Sequence, residues 1–206
     1  MKNYCQTALS FFIFVSSFSL CAQAQRHEVH ILSTNDMHAA IEAFPQLADV
    51  ADSLRTLYPG LLVFAAGDNR TGDPLNDMYE IPAYPMVALM NQVGFNATTL
   101  GNHEFDSTPS GLARLITLSN FSYLCANAFP ADSLDMHLRP CKMFDVEGLR
   151  VGVVGAVQLG THGIPDTHPE NVKNIHFEPV KDARLGRVIA VGGKAAATSS
   201  TETVTT

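Results

Sequence analysis

Leu61-Leu62-Val63-Phe64-Ala65-Ala66-Gly67-Asp68-Asn69 is an apolar run that passes directly into a polar turn. The apolar part has the length of a strand and no polar alternation, which suits a strand covered on both faces of a parallel sheet. Gly67-Asp68-Asn69 then ends it with residues that favour turns. The same pattern occurs on either side. Residues 29–33 (VHILS) run into Thr34-Asn35-Asp36-Met37-His38, and residues 97–100 (ATTL) run into Gly101-Asn102-His103-Glu104.

Helical periodicity fills the intervals. Residues 44–57 place apolar side chains at Leu47, Val50, Ala51, Leu54 and Leu57, and Tyr58-Pro59-Gly60 stops the helix. Residues 84–93 read as a helix with Pro85 near its start, residues 109–119 as another, and residues 121–126 as a strand. Residues 143–146 and 149–157 flank Glu147-Gly148, a two-residue hairpin signal. Strand, loop and helix in alternation predict a layered α/β domain with a largely parallel sheet and a later antiparallel hairpin. The loop from Gly67 to Asp77 is rich in Gly, Pro, Asn and Asp, and the chain has no internal repeat.

Composition narrows the function classes. Of 206 residues 46% are apolar and 16% charged, which excludes a disordered chain for most of the length. Asp and Glu total 20 against 13 Lys and Arg, and this acidic balance without a basic run argues against a nucleic-acid polymer as partner. Residues 1–24 read as a signal peptide: Lys2, an uncharged apolar run, then Ala22-Gln23-Ala24 as a small-x-small cleavage site. The run is shorter than the ~20 residues that span a bilayer. Export places residues 25–183 outside the cytoplasm, on the cell surface, in a periplasm or in the medium. It leaves Cys125 and Cys141 in an oxidising compartment, either bridged or as two free thiols. Residues 184–206 lack aromatics and end in Ala, Ser and Thr, a low-complexity tail that is disordered or translated out of frame.

In an open α/β sheet the carboxyl ends of the strands share one edge, where ligands bind. Asp36 and His38, then Asp68, then Asn102 and His103 lie at three such ends. Taken singly, each is as well explained by a turn, a helix cap or a solvated loop. Together they offer carboxylate, amide oxygen and imidazole, a mixture that suits Mn, Zn, Fe or Mg. Asp68 on the middle loop could be shared between two ions, with Asp36 and His38 on one side and Asn102 on the other. Two ions a few Å apart activate water and clamp a phosphoryl group. Asp106, three residues after His103, could orient its imidazole.

The runs Thr34–His38, Gly67–Asn69 and Gly101-Asn102-His103-Glu104-Phe105-Asp106 resemble the calcineurin-like metallophosphoesterase superfamily, and Phe105-Asp106 resembles its secreted 5′-nucleotidase and UDP-sugar hydrolase branch. The resemblance covers residues 27–183. It implies a layered α/β/β/α fold, incomplete at its C-terminal side in this chain. It also implies two divalent metal ions on Asp36, His38, Asp68 and Asn102, and a His103–Asp106 dyad that stabilises the transition state. The implied substrate is a small phosphate ester, a nucleotide in particular, hydrolysed in nucleotide catabolism.

The sequence stops resembling that family near residue 183. The family closes its metal centre with a later histidine and a Gly-His-x-His motif; no Gly-His-x-His is found, and His162, His168 and His176, the histidines after residue 157, read as solvated loop residues rather than as a substitute ligand. No residue can be assigned to the aromatic nucleotide-binding domain of that branch, so a separate chain is one possible source of it. The alternative reading is a catalytically inactive, truncated metal-binding remnant of the same fold. Gly152-x-x-Gly155 as a dinucleotide fingerprint is a weak match, because the third glycine is absent and Pro165 interrupts the helix that should follow. Asn69, Asn96 and Asn120 begin glycosylation sequons, read here as chance matches.

Overall fold

Four of the apolar runs form one parallel sheet in chain order. A computed structural model describes residues 28–182, so the signal segment and the tail lie outside the described residues. Strands β1 (Ile31–Thr34), β2 (Leu62–Ala65), β3 (Ala97–Thr99) and β4 (Ser122–Leu124) lie side by side in the order β1-β2-β3-β4. Each parallel pair needs a crossover, and helices supply it: α1 (Phe44–Leu57), α3 (Tyr84–Val93) and α4 (Pro109–Leu118). A single turn, α2 (Pro74–Asp77), sits within the long loop after β2. The helix limits match the periodicity, while the strands are shorter than the apolar runs that contain them.

Successive strand residues point to opposite faces. Val63 and Ala65 of β2 therefore enter the main core with Met86, Met90, Leu112 and Tyr123, whereas Phe64 faces the other way and meets Phe144 at a ring distance of 5.6 Å. Phe144 belongs to the hairpin β6 (Cys141–Val146) and β7 (Leu149–Val154). Its turn residues Glu147 and Gly148 have φ of 52° and 83°, the two positive values that a tight hairpin turn requires. Helices thus cover one face of the parallel sheet and the antiparallel hairpin covers part of the other, which is the layered arrangement expected.

Local chemistry fixes the helix ends. Thr108 caps α4 by accepting from the Gly111 N–H, and Asp73 caps α2 by accepting from Leu75, each worth about 1 kcal/mol. At the other end of α3, Gly94 takes the left-handed conformation and Arg55 of α1 donates to the carbonyls of Val93 and Gly94. A cation there also complements the helix dipole. In α1, Phe44 and Ala51 are buried but Val50 and Leu57 are exposed, so the apolar stripe is narrower than the sequence periodicity suggests.

A second antiparallel pair, β5 (Ala128–Pro130) with β8 (Ile175–Phe177), is not evident in the sequence. One buried amide ties it in. Asn127 donates to the carbonyls of Val157 and Glu178 and accepts from the Val157 N–H and the Cys125 thiol. Cys125 and Cys141 are both free thiols, and burial raises the Cys125 pKa. Among the described residues no helix is long and apolar enough to cross a membrane.

In the native protein a thiol reagent should modify Cys141, which is half-buried, well before Cys125, because thiolate fraction and access set the rate. Peptide mass mapping during a reaction time course checks this. Equal labelling rates would contradict the burial of Cys125, and a pair that labels only after reduction would contradict the free thiols.

Candidate active site

The loops after β1, β2 and β3 meet at one edge of the sheet, and backbone bonds join the first two. Asp36 N–H donates to the Gly67 carbonyl, His38 to Asp68 at 3.0 Å, and Ala39 to Asn69 at 2.8 Å. Glycines allow the second and third loops to touch. A Cβ on Gly67 (φ 96°) would lie 2.6 Å from Gly101 N, and one on Gly101 would lie 2.2 Å from Asp68 Oδ1. Gly72 packs on the His38 carbonyl, 2.2 Å from where its Cβ would stand. None of these positions has room for a side chain.

Asp36, His38 and Asp68 have φ of 49°, 43° and 50°. A non-glycine residue in the left-handed region is uncommon, and such strain gathers at functional sites. His38 Nδ1 lies 3.1 Å from the Thr71 carbonyl, so Nδ1 carries a proton. Nε2 is 3.7 Å from Asp36 Oδ1. The other Asp36 oxygen accepts from the Asn35 side chain. The His38 and His103 rings meet edge to face at 4.8 Å, and the His103 N–H donates to Asp68 Oδ1 at 2.8 Å. His103 Nδ1 is 2.7 Å from Asp106 Oδ2. That hydrogen bond is the largest of the effects that raise the His103 pKa.

Asp36, His38, Asp68, His103 and Asp106 are therefore linked to one another, whereas the Asn102 side chain, at the start of the His103–Phe105 turn, donates to the Asp166 carbonyl. Among the described residues, however, no three His, Cys, Asp or Glu side chains converge as a ready-made metal cluster. The donor chemistry still suits a divalent ion. His38 has one ring nitrogen tied to a backbone carbonyl, as metal-bound histidines do, with the other facing Asp36 Oδ1, and Asp68 has one oxygen engaged by the His103 N–H.

Glu104, which carries no role in the sequence reading, is buried at 2% exposure. Its Oε2 accepts from the backbone N–H of Asp68 (2.9 Å) and Gly101 (2.6 Å), and its Oε1 from Asn69 N–H (2.8 Å) and Asn69 Nδ2 (3.1 Å). Asn69 is itself buried and also donates to Thr98 Oγ1, which accounts for its place in the motif and removes it as a surface sequon. Asn96 accepts from Val63 N–H, whereas Asn120 is exposed. Arg70 is buried beside this network. Burial lowers its pKa, opposed by the charges of Asp106, Glu104 and Asp77. The signal for these residues was their place in the motifs, Asn69 and Glu104 within them and Arg70 directly after one. His162 is exposed, His168 caps a turn at Pro169–Val172, and His176 lies on β8 beside Phe129.

The His103–Asp106 contact sets a pH dependence. A histidine whose folded pKa is raised adds stability at low pH and loses it as pH climbs through the folded value. NMR titration should find His103 protonated above the ordinary histidine range and returned toward it in Asp106→Asn. An unchanged midpoint in the variant would contradict the pairing.

No family model matches the chain. In sequence it is 28% identical over 195 residues to the 5′-nucleotidase of Vibrio parahaemolyticus, covering 85% of this chain and 34% of that protein. In structure it is similar to a 5′-nucleotidase precursor from Thermus thermophilus, with a TM-score of 0.69, 22% identity, and coverage of 78% of this chain and 34% of that one. It is also similar to the calcineurin-like phosphoesterase YfkN from Bacillus subtilis, with a TM-score of 0.57, 20% identity, and coverage of 79% and 59%. The chain spans about a third of the length of the curated relatives it matches. It has the fold of the calcineurin-like phosphoesterases, and in sequence it is similar to the N-terminal part of their 5′-nucleotidase branch.

Proposed function

We propose that this chain carries the first half of the active site of an exported, divalent-metal-dependent phosphoester hydrolase acting on nucleotides. The observation that carries the reading is the His38–Asp36–Asp68–His103–Asp106 constellation, gathered by three strand ends and linked by contacts of 2.7–4.8 Å. The similarity to the Vibrio 5′-nucleotidase supports the substrate class.

Asp36 and His38 with Asp68 would hold one ion, and Asp68 with Asn102 would begin a second site. A divalent ion there supplies Lewis acidity at the phosphoryl group and a nucleophile at neutral pH. The protein's own groups do the rest. Asp106 holds the Nδ1 proton of His103 and so aims Nε2. Protonated, His103 donates from Nε2 to charge developing on a phosphoryl oxygen or hands a proton to the leaving oxygen. Asp68 fixes His103 in turn by accepting its backbone N–H.

The second reading, a metal-binding remnant without turnover, rests on the donor count. Among the described residues Asp68 and Asn102 are the donors for the second ion, fewer than a closed site uses. Isothermal titration with Mn separates the two by one site or two.

Hydrolysis of AMP and of an aryl phosphate should be stimulated by Mn, Zn or Mg. It should fall by about 10²-fold or more in His38→Ala and Asp68→Asn, the scale of losing a preorganised charge-stabilising group. Turnover should also fall in Asp106→Asn, with Mn affinity unchanged. No turnover with any of these ions would remove the enzyme reading for this chain, and Mn bound equally by wild type and His38→Ala would remove the metal assignment.

A further inference from the structure

The loop after β7 reaches across to the third motif at two points. The Asp166 carbonyl accepts from Asn102 Nδ2 at 3.3 Å, and Thr167 Oγ1 donates to the Phe105 carbonyl at 3.1 Å. Asn102 begins the turn His103–Phe105 and Phe105 ends it, so adjacent residues 166 and 167 hold both ends of one turn. The Thr167 hydroxyl accepts from Asn171 Nδ2 at 3.4 Å, which leaves its proton for Phe105. The loop is itself fixed. Gly160 N–H donates to Ile164 and Gly163 N–H to Gly160, Pro165 is fully buried, and a Cβ on Gly160 would stand 2.1 Å from Asp166 Oδ1.

An asparagine amide presents one donor end and one acceptor end. With Nδ2 engaged by a carbonyl, Oδ1 is the free end. We infer that Thr167 and the Asp166 carbonyl are a positioning device for Asn102, turning its Oδ1 outward as a ligand oxygen. This rests on the metal reading above and goes beyond it by giving a role to residues outside the three motifs. A carboxylate at position 102 has no donor end, so it would have no use for the device.

The experiment combines Thr167→Val, Thr167→Ser and Asn102→Asp with two readouts. The first is NMR of the chain without metal, following the Asn102 side-chain N–H₂ signals. The device predicts that one Nδ2 proton is slowed in exchange in wild type and Thr167→Ser and fast in Thr167→Val. The second is Mn affinity by titration. Thr167→Val should weaken Mn about fivefold in the Asn102 background, the scale of one hydrogen bond. It should leave Mn affinity unchanged when position 102 is Asp, and Thr167→Ser should restore it. Equal weakening in both backgrounds would assign Thr167 a merely structural role and overturn the inference, as would Asn102 N–H₂ signals insensitive to Thr167. A wild type that binds no Mn, with the NMR contrast intact, overturns the metal reading and the ligand role while leaving the contact itself established.

Discussion

The site is organised by one buried carboxylate. An ionised group out of water is costly unless its oxygens are hydrogen-bonded. Glu104 meets that condition with the N–H groups of Asp68, Asn69 and Gly101 and the side chain of Asn69. Burial raises its pKa, and the backbone donors oppose the shift. Those donors come from the two loops that must touch at Gly67 and Gly101. The same bonds that satisfy the Glu104 oxygens therefore hold Asp68 beside the turn that carries Asn102 and His103. Phe105, the next residue, is fully buried and meets Phe177 edge to face at 5.7 Å, so the turn is anchored on its apolar side as well.

This arrangement explains why small residues and odd backbone angles crowd one edge of the sheet. Asp36, His38 and Asp68 sit at positive φ because their loops continue pairing beyond the strand ends and must bend to do so. Strain of this kind persists where surrounding bonds over-determine the geometry. The first loop is held by three backbone bonds to the second, and the second by Glu104 to the third.

Much of this was legible in the sequence. The three strand-to-loop junctions, the limits of α1 and α3 and the Glu147-Gly148 hairpin follow from local patterning, and so does the meeting of Asp36, His38, Asp68 and His103 at one sheet edge. What was not legible depends on long-range contact. The pairing of β5 with β8 joins residues about fifty apart through short runs with little strand character, and Asn127 looks like any turn residue until its four hydrogen bonds to Cys125, Val157 and Glu178 assemble. Val50 and Leu57 fit the helical stripe yet face solvent, because the stripe is set by what packs on it rather than by period alone. Thr167 gave no local sign of its bonds, and Glu104 gave only its place in the third motif.

Amide hydrogen exchange reads the clasp that Glu104 makes on the loops of the site. The backbone amides of Asp68, Asn69 and Gly101 should be strongly protected in the wild type. In Glu104→Gln an amide N–H₂ replaces one acceptor and opposes two of those donors, so protection there should fall by orders of magnitude while the amides of α1 keep theirs. Unchanged protection at Asp68, Asn69 and Gly101 in that variant would mean that Glu104 does not hold these loops together.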